Sequence, residues 1–124
     1  MLRGKYAVDN KEFSQSLEKR TLQFAVRIIR ISTLLPDTAE GKVIKYQITK
    51  SGTSIGANYR EANHSRSKAD FRSNIKICAS EASETQYWME VIEETGWSAW
   101  PQVKGEYEEC TELLAIFTAI GKNI

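Results

Sequence analysis

Two residue pairs in this chain, Glu61 with His64 and Glu81 with Glu84, have the i, i+3 spacing with which helical bundles hold metal ions. A two-metal bundle site requires two Glu-x-x-His motifs and two further glutamates. The chain has one histidine, and it lies where a helical pattern ends. We therefore predict no metal and no cofactor. A small-molecule- or metal-binding bundle that uses Glu61, Glu81 and Glu84 remains the alternative.

Catalytic patterns are also incomplete. His64 has no evident orienting carboxylate, and no serine or cysteine stands at motif spacing from it. Gly52 and Gly56 do not form a phosphate loop, because three residues separate them and no Gly-Lys-Ser or Gly-Lys-Thr appears. We predict no catalytic residues and no enzyme. Residues 51–57 instead predict a small helix face that a second helix approaches closely, where leucine at Gly52 should overpack and alanine should be tolerated.

Four polar residues lie beside the apolar rows of the second and third helical patterns: Asn58, Glu61, Glu81 and Glu84. Glu81 and Glu84 share a row with apolar residues, so at least one of them should lean toward the interior. A buried carboxylate needs hydrogen bonds or opposite charge. We predict a polar network that fixes the register of the two helices, with a binding pocket as the alternative interpretation.

Charge is unevenly distributed, although the net charge at pH 7 is only +1. Residues 1–76 carry 15 Lys and Arg against 7 Asp and Glu, whereas residues 77–124 carry 2 against 9. The basic part can meet a phosphate backbone or the acidic part of a neighbouring copy, or it can be a solvated surface with no partner. The candidate nucleic-acid contacts surround the turn between the second and third helices: Arg60, Arg66, Lys68, Arg72 and Lys76.

Helical spacing of apolar residues occurs in four segments, and these segments must position the polar groups. The first helix spans about twenty residues and stops at Pro36 and Asp37. The second begins near Asp37 or Thr38, where Asp37 and Glu40 have capping-box spacing, and ends around residues 63–64. The apolar rows are Leu17, Thr21, Phe24, Ile28, Ile31 and Leu35 in the first helix and Ile48, Gly52, Ile55, Tyr59 and Ala62 in the second.

The third helix has the strongest periodic signal and opens with Ser67 at capping-box spacing from Asp70. Its row is Phe71, Ile75, Cys78, Ala82, Thr85, Met89 and Ile92. After Gly96, residues 97–105 are predicted to form a rigid aromatic loop. A fourth helix follows, in which Val103 or Tyr107 leads to a row of Cys110, Leu114, Phe117, Gly121 and Ile124. Cys78 and Cys110 fall on these rows and should behave as small buried hydrophobic residues.

These helices predict an all-α protein with an antiparallel up-down-up-down four-helix bundle. All 124 residues form one domain, in which residues 1–12 are expected to be a loosely ordered N-terminal segment. We expect a cytoplasmic protein outside the membrane, because the sequence has neither a secretory h-region nor a long apolar run. Second apolar rows predict either an oligomer interface or a wide core face: Leu22, Val26 and Ile29 in the first helix, and Leu113, Ile116 and Ile120 in the last.

The segments SGTSIGANYREA and DFRSNIKICASEASETQYWMEV resemble the signature of the bacterial four-helix bundle proteins encoded in intervening sequences of 23S ribosomal RNA genes. The matching positions include Ser54, Ile55, Asn58, Glu61, Phe71, Glu81 and Glu84. The resemblance implies a bundle that assembles into a ring, typically a homopentamer, with no established enzymatic activity. The chain is also similar to the accessory variability proteins of diversity-generating retroelements, which partner a reverse transcriptase and bind nucleic acid through a basic surface.

The residues and the resemblance together favour a non-enzymatic homo-oligomeric bundle that acts as a scaffold or as a nucleic-acid-associated accessory protein. The expected partners are further copies of the chain, in a pentameric ring, and RNA or DNA. The chain is nearly neutral, whereas the retroelement accessory proteins are strongly basic.

Overall fold

A computed structural model of the protein describes residues 7–124, with side chains from residue 11 onward. It contains four α-helices: α1 (Ala7–Ser32), α2 (Ala39–Ala62), α3 (Lys68–Glu94) and α4 (Trp100–Lys122). Each helix packs against the next one along the chain, and α4 also contacts α1. The helices therefore enclose one core from four sides, and the predicted antiparallel four-helix bundle is confirmed.

Side-chain caps set the beginnings of α2 and α3. Thr38 Oγ1 accepts a hydrogen bond from Gly41 N at 3.0 Å, and Ser67 Oγ accepts one from Asp70 N at 3.0 Å. Each bond satisfies a backbone N–H that has no partner inside its own helix. The start predicted for α3 is confirmed. Of the two starts predicted for α2, the structure uses Thr38, and Asp37 lies outside the cap.

The structure corrects the boundary predicted for α4. Residues 97–105 do not form a loop, since α4 already begins at Trp100 and Pro101 stands in its first turn, where a missing N–H costs nothing. The sharp connection depends on Gly96, whose φ of 73° lies in the left-handed region. With Gly96 in this conformation, Trp97 N donates to Ile92 O at 3.2 Å and closes the end of α3.

The beginning of α1 differs from the expectation for the N-terminal segment. Residues 7–12, predicted to be loosely ordered, are part of α1, and residues 1–6 lie outside the described residues. From Ala7 to Ile124, no helix combines the length and the apolar character that crossing a bilayer requires.

The core is built from the predicted rows of α1, α2 and α3. In α4, Cys110 and Phe117 are buried, whereas the other members of the predicted row are only half-buried: Leu114, Gly121 and Ile124. The α3 row from Ile75 to Ile92 is fully buried, and Tyr59 of α2 packs on Phe117 of α4 with ring centroids 5.4 Å apart. Cys78 and Cys110 are buried and free, as predicted. Burial raises the pKa of Cys78 and of Cys110 to about 12, so both remain thiols at neutral pH.

α1 and α2 approach most closely at the two glycines of α2. A Cβ atom at Gly52 would lie 2.7 Å from Ile28 Cγ2, and one at Gly56 would lie 2.9 Å from Thr21 Oγ1. The predicted close-packing role of both glycines is confirmed. This geometry argues against the expectation that alanine is tolerated at Gly52, because a β-branched isoleucine cannot rotate freely away from the added carbon.

Candidate functional site

The predicted polar network does not connect α2 with α3. Within residues 11–124, Asn58, Glu61, Glu81 and Glu84 make no hydrogen bond or ion pair with one another. Asn58 Nδ2 donates to a carbonyl one turn earlier in α2, at 2.8 Å, and Glu84 Oε2 accepts from Trp88 Nε1 in α3, at 3.0 Å. Glu61 is exposed and Glu81 is half-buried. Asn58 and Glu84 are half-buried as well, and the hydrogen bonds of these two side chains stay within their own helices.

A buried polar contact between α2 and α3 is made by Ser51 and Thr85 instead. Thr85 Oγ1 donates to Ser51 Oγ at 2.9 Å, and both residues are fully buried. Carbonyl oxygens of Glu81 and Ile48 lie 2.7 and 3.4 Å from the two hydroxyls. Thr85 belongs to the predicted α3 row, and Ser51 belongs to the predicted small face of residues 51–57. The helical pattern therefore indicates that each residue faces another helix, but it does not show that the two hydroxyl groups meet.

Glu81 and Glu84 offer little to a metal ion. Burial raises the pKa of Glu81, the Glu84 carboxylate raises it further, and Lys50 lowers it. The described part of the chain contains no cluster of three or more His, Cys, Asp and Glu side chains that could hold a metal ion. The alternative metal-binding interpretation therefore has no ligand set among these residues.

The five predicted nucleic-acid contacts, here called the basic cluster, surround the α2–α3 turn and are all exposed: Arg60, Arg66, Lys68, Arg72 and Lys76. Arg60 Nε lies 3.6 Å from Glu18 Oε1, and Arg72 Nη2 donates to Ile124 O at 3.1 Å. Among the described residues, the other three have no carboxylate within 4.0 Å. Their charges therefore face solvent.

A cavity of about 1060 Å³, here called the end cavity, opens beside the basic cluster. The beginnings of α1 and α3, the end of α2, the α2–α3 turn and the end of α4 form its wall. Aromatic and cationic side chains line it together: Phe13, Tyr59, Phe71, Lys11, Arg66 and Lys68. The helical pattern gives no sign of this cavity, because its walls come from segments that are far apart in the chain.

The opposite charges of the two halves of the sequence meet between α1 and α4. Arg20 donates to Glu109 from Nε at 2.6 Å and from Nη2 at 2.9 Å, and Nη2 also donates to Glu112 at 2.6 Å. Arg27 Nε donates to Glu106 at 3.1 Å. The hydrogen bonding that Arg20 donates to the Glu109 carboxylate is the main cause that raises the pKa of Arg20. Part of the charge asymmetry therefore serves the fold of a single chain.

The two predicted oligomer rows differ in exposure. Leu22, Val26 and Ile29 on α1 are 54%, 39% and 45% exposed. Leu113 is fully buried, so it belongs to the core and is not available to a second copy. Ile116 and Ile120 are half-buried against that core, beside a shallow groove that Phe13 also lines. The helical pattern marks Leu113 as apolar but does not show that its side of α4 turns inward.

These features define an antiparallel four-helix bundle with a close glycine crossing on one side and an open, basic end. The chain belongs to the family described as 23S rRNA-intervening sequence protein, whose family model matches residues 14–119. It is also similar to the crystal structure of a protein with unknown function from the S23 ribosomal protein family of Bacteroides thetaiotaomicron VPI-5482. That protein is 37% identical with a TM-score of 0.79, over 85% of this chain and 97% of its own. No curated protein matches the chain.

Proposed function

We propose that the protein is a non-enzymatic bundle that binds nucleic acid as an accessory protein and assembles with copies of itself. The basic cluster is the observation that carries this proposal. Arg66, Lys68 and Lys76 keep their charges toward solvent at the surface around the α2–α3 turn. Surfaces of this kind bind phosphate backbones and release the counterions condensed on them.

The chemistry of the described side chains favours a binding protein over an enzyme. His64 Nδ1 lies 2.8 Å from Arg60 O, so a backbone carbonyl rather than a carboxylate orients the ring. Burial raises the pKa of Cys78 and of Cys110, which keeps both thiols protonated and poorly nucleophilic. Two free cysteines also suit a reducing compartment, and we place the protein in the cytoplasm.

Salt-dependent binding tests the nucleic-acid role. Fluorescence anisotropy with labelled RNA and DNA oligonucleotides should show an affinity that falls as salt rises, with a log–log slope of about −3 for three to four phosphate contacts. The double variant Arg66→Glu, Lys68→Glu should weaken binding to every sequence and reduce the slope by about 2.

Lys104→Glu is the matched control, because Lys104 is an exposed lysine in the first turns of α4, at the other end of the bundle. It should leave the affinity almost unchanged. If no oligonucleotide binds at low salt, or if Lys104→Glu weakens binding as much as the double variant, the nucleic-acid role is wrong.

Assembly is the second part of the proposal, and the exposed α1 row of Leu22, Val26 and Ile29 supports it. Neighbouring apolar side chains on one surface commonly mark a protein interface. We expect light scattering to give the mass of an oligomer, with five copies as the number that the family resemblance implies. Val26→Asp should dissociate it by burying an unpaired carboxylate. Gln23 is an exposed neighbour outside the row, so Gln23→Asp should not dissociate the oligomer. A single-copy mass for the unmodified protein at micromolar concentration would exclude the assembly.

A further inference from the structure

The end cavity has the dimensions of a ligand site. Its volume of about 1060 Å³ lies at the upper end of the range for small-molecule pockets, and it is open to solvent on one side. A chain end or a single extruded nucleotide can therefore enter while the rest of a polymer stays outside.

The apolar part of the lining is aromatic. Phe13 is 48% exposed although it is a large apolar residue, and Phe71 is half-buried. The Tyr59 ring is almost fully buried, and its hydroxyl donates to Ser14 Oγ at 3.4 Å. Exposed aromatic rings in a concave surface offer planar faces on which a flat ligand can stack.

The charged part of the lining selects an anion. Among the described lining residues, Glu18 is the only one with a carboxylate side chain, and it is already bound by Asn63 Nδ2 at 2.8 Å and approached by Arg60 at 3.6 Å. Lys11, Arg66 and Lys68 have no carboxylate within 4.0 Å among the described residues. The wall therefore combines flat apolar surface with uncompensated positive charge.

We propose that the end cavity takes one unstacked nucleotide of a single-stranded nucleic acid, with its base against Phe13 and Phe71 and its phosphate beside Arg66 and Lys68. The inference rests on the proposed function, because the basic cluster would hold the flanking backbone. In a duplex both faces of each base are already stacked, so a duplex can use the cluster but not the cavity. The protein should therefore prefer single strands.

The test compares one labelled oligonucleotide as a single strand and as a duplex, by fluorescence anisotropy at fixed salt. The unmodified protein should bind the single strand more tightly. Phe13→Ala should weaken single-strand binding by about 5- to 100-fold, the usual effect of removing a stacking side chain, and leave duplex binding unchanged. Phe71→Leu keeps an apolar side chain in the cavity wall but removes the aromatic ring. It should therefore also weaken single-strand binding and leave duplex binding unchanged.

Tyr46→Leu is the matched control, since Tyr46 is an exposed aromatic residue of α2 that does not line the cavity. Unchanged thermal unfolding of Phe13→Ala would show that the fold is intact. Equal binding of single strand and duplex, together with no effect of Phe13→Ala or Phe71→Leu, would overturn the inference and leave the proposed function standing. If only the Arg66→Glu, Lys68→Glu variant loses binding, and it loses both single-strand and duplex binding, the inference is likewise overturned and the proposed function stands. Absence of all binding would overturn both.

Discussion

Helix α1 meets its two neighbours in different ways. Toward α2, two glycines bring the backbone close against Ile28 and Thr21. The one ion pair between α1 and α2 among the described residues, Arg60 with Glu18, is long at 3.6 Å and lies toward the end of α2. Toward α4, the contact is the smallest of the four helix pairs, and Arg20 and Arg27 hold three glutamates across it. The first contact depends on shape and the second on charge.

The two contacts should respond to different perturbations. A closely packed interior has no room for an added carbon atom, so substitutions at the α1–α2 crossing act through steric overlap and cavities. Partly exposed ion pairs contribute at most about 1 kcal/mol each and are screened by salt. Mutations should therefore damage the α2 side more, whereas salt should act on the α4 side.

The largest effect is expected at the crossing itself. Ile28 is fully buried, so Ile28→Ala should lower the free energy of unfolding by about 2 to 5 kcal/mol. Ile116→Ala, the comparison on the α4 side, removes a half-buried residue and should cost less. Urea unfolding measures both. Equal losses would show that the two sides of α1 are packed alike.

A smaller loss is expected when the crossing is overfilled. Gly52→Ala should destabilise by about 1 to 3 kcal/mol despite the better helix propensity of alanine, because its Cβ would overlap Ile28. Gly105→Ala has open space around the added carbon and should stabilise by about 0.5 to 1 kcal/mol. In the Ile28→Ala background the cost of Gly52→Ala should shrink. If alanine stabilises both positions, the crossing is looser than described.

On the α4 side, Arg20→Met should lower the free energy of unfolding by about 1 kcal/mol, since the Arg20 side chain is 33% exposed and solvent screens its charge. The difference from the unmodified protein should diminish in 1 M salt, where the Debye length is about 3 Å. Arg30→Met is the control, because Arg30 is exposed and makes no ion pair among the described residues. If the loss of unfolding free energy in Arg20→Met is the same at all salt concentrations, the packing of the aliphatic part of the Arg20 side chain is its cause.

The smallest effect concerns Glu81, a half-buried residue of α3 that lies outside both contacts of α1. Because burial raises its pKa in the folded state, the folded protein binds this proton more tightly than the unfolded chain does. The Glu81 contribution to stability therefore falls as the pH rises from the ordinary glutamate range through the raised pKa. Glu81→Gln should stabilise by about 0.5 kcal/mol or less at pH 7.

That advantage of Glu81→Gln should disappear below about pH 4, where the carboxyl group is protonated in both states. Urea unfolding of the variant and the unmodified protein at the two pH values is the measurement. A stabilisation of the same size at both pH values would mean that charge is not its cause.

The helices and the α3 row could be predicted because apolar spacing is a local property of the chain. Phe71 to Ile92 repeats at helical intervals, and every core position from Ile75 onward is buried. The caps were partly predictable for the same reason: Ser67 was identified, while Asp37 and Thr38 both had acceptable chemistry and only the backbone geometry selects Thr38.

The remaining features depend on how helices turn toward one another. Leu113 and Ile116 are both apolar residues of α4, yet one is buried and the other is half-exposed. The burial of Glu81 likewise depends on how far α3 is rotated about its own axis relative to its neighbours. A helical pattern does not determine that rotation. The end cavity requires segments from α1 to α4 to meet, so no single stretch of sequence indicates it.

The position of α4 has a consequence for synthesis, because α4 is made after α1, α2 and α3 and covers both α3 and the basic side of α1. At about 5 to 20 residues per second, its 23 residues need on the order of seconds to emerge. During that interval the nascent three-helix chain has an uncovered apolar trough. In the finished bundle the acidic residues of α4 pair with Arg20 and Arg27 of α1, so electrostatic attraction as well as apolar burial favours the step in which α4 docks.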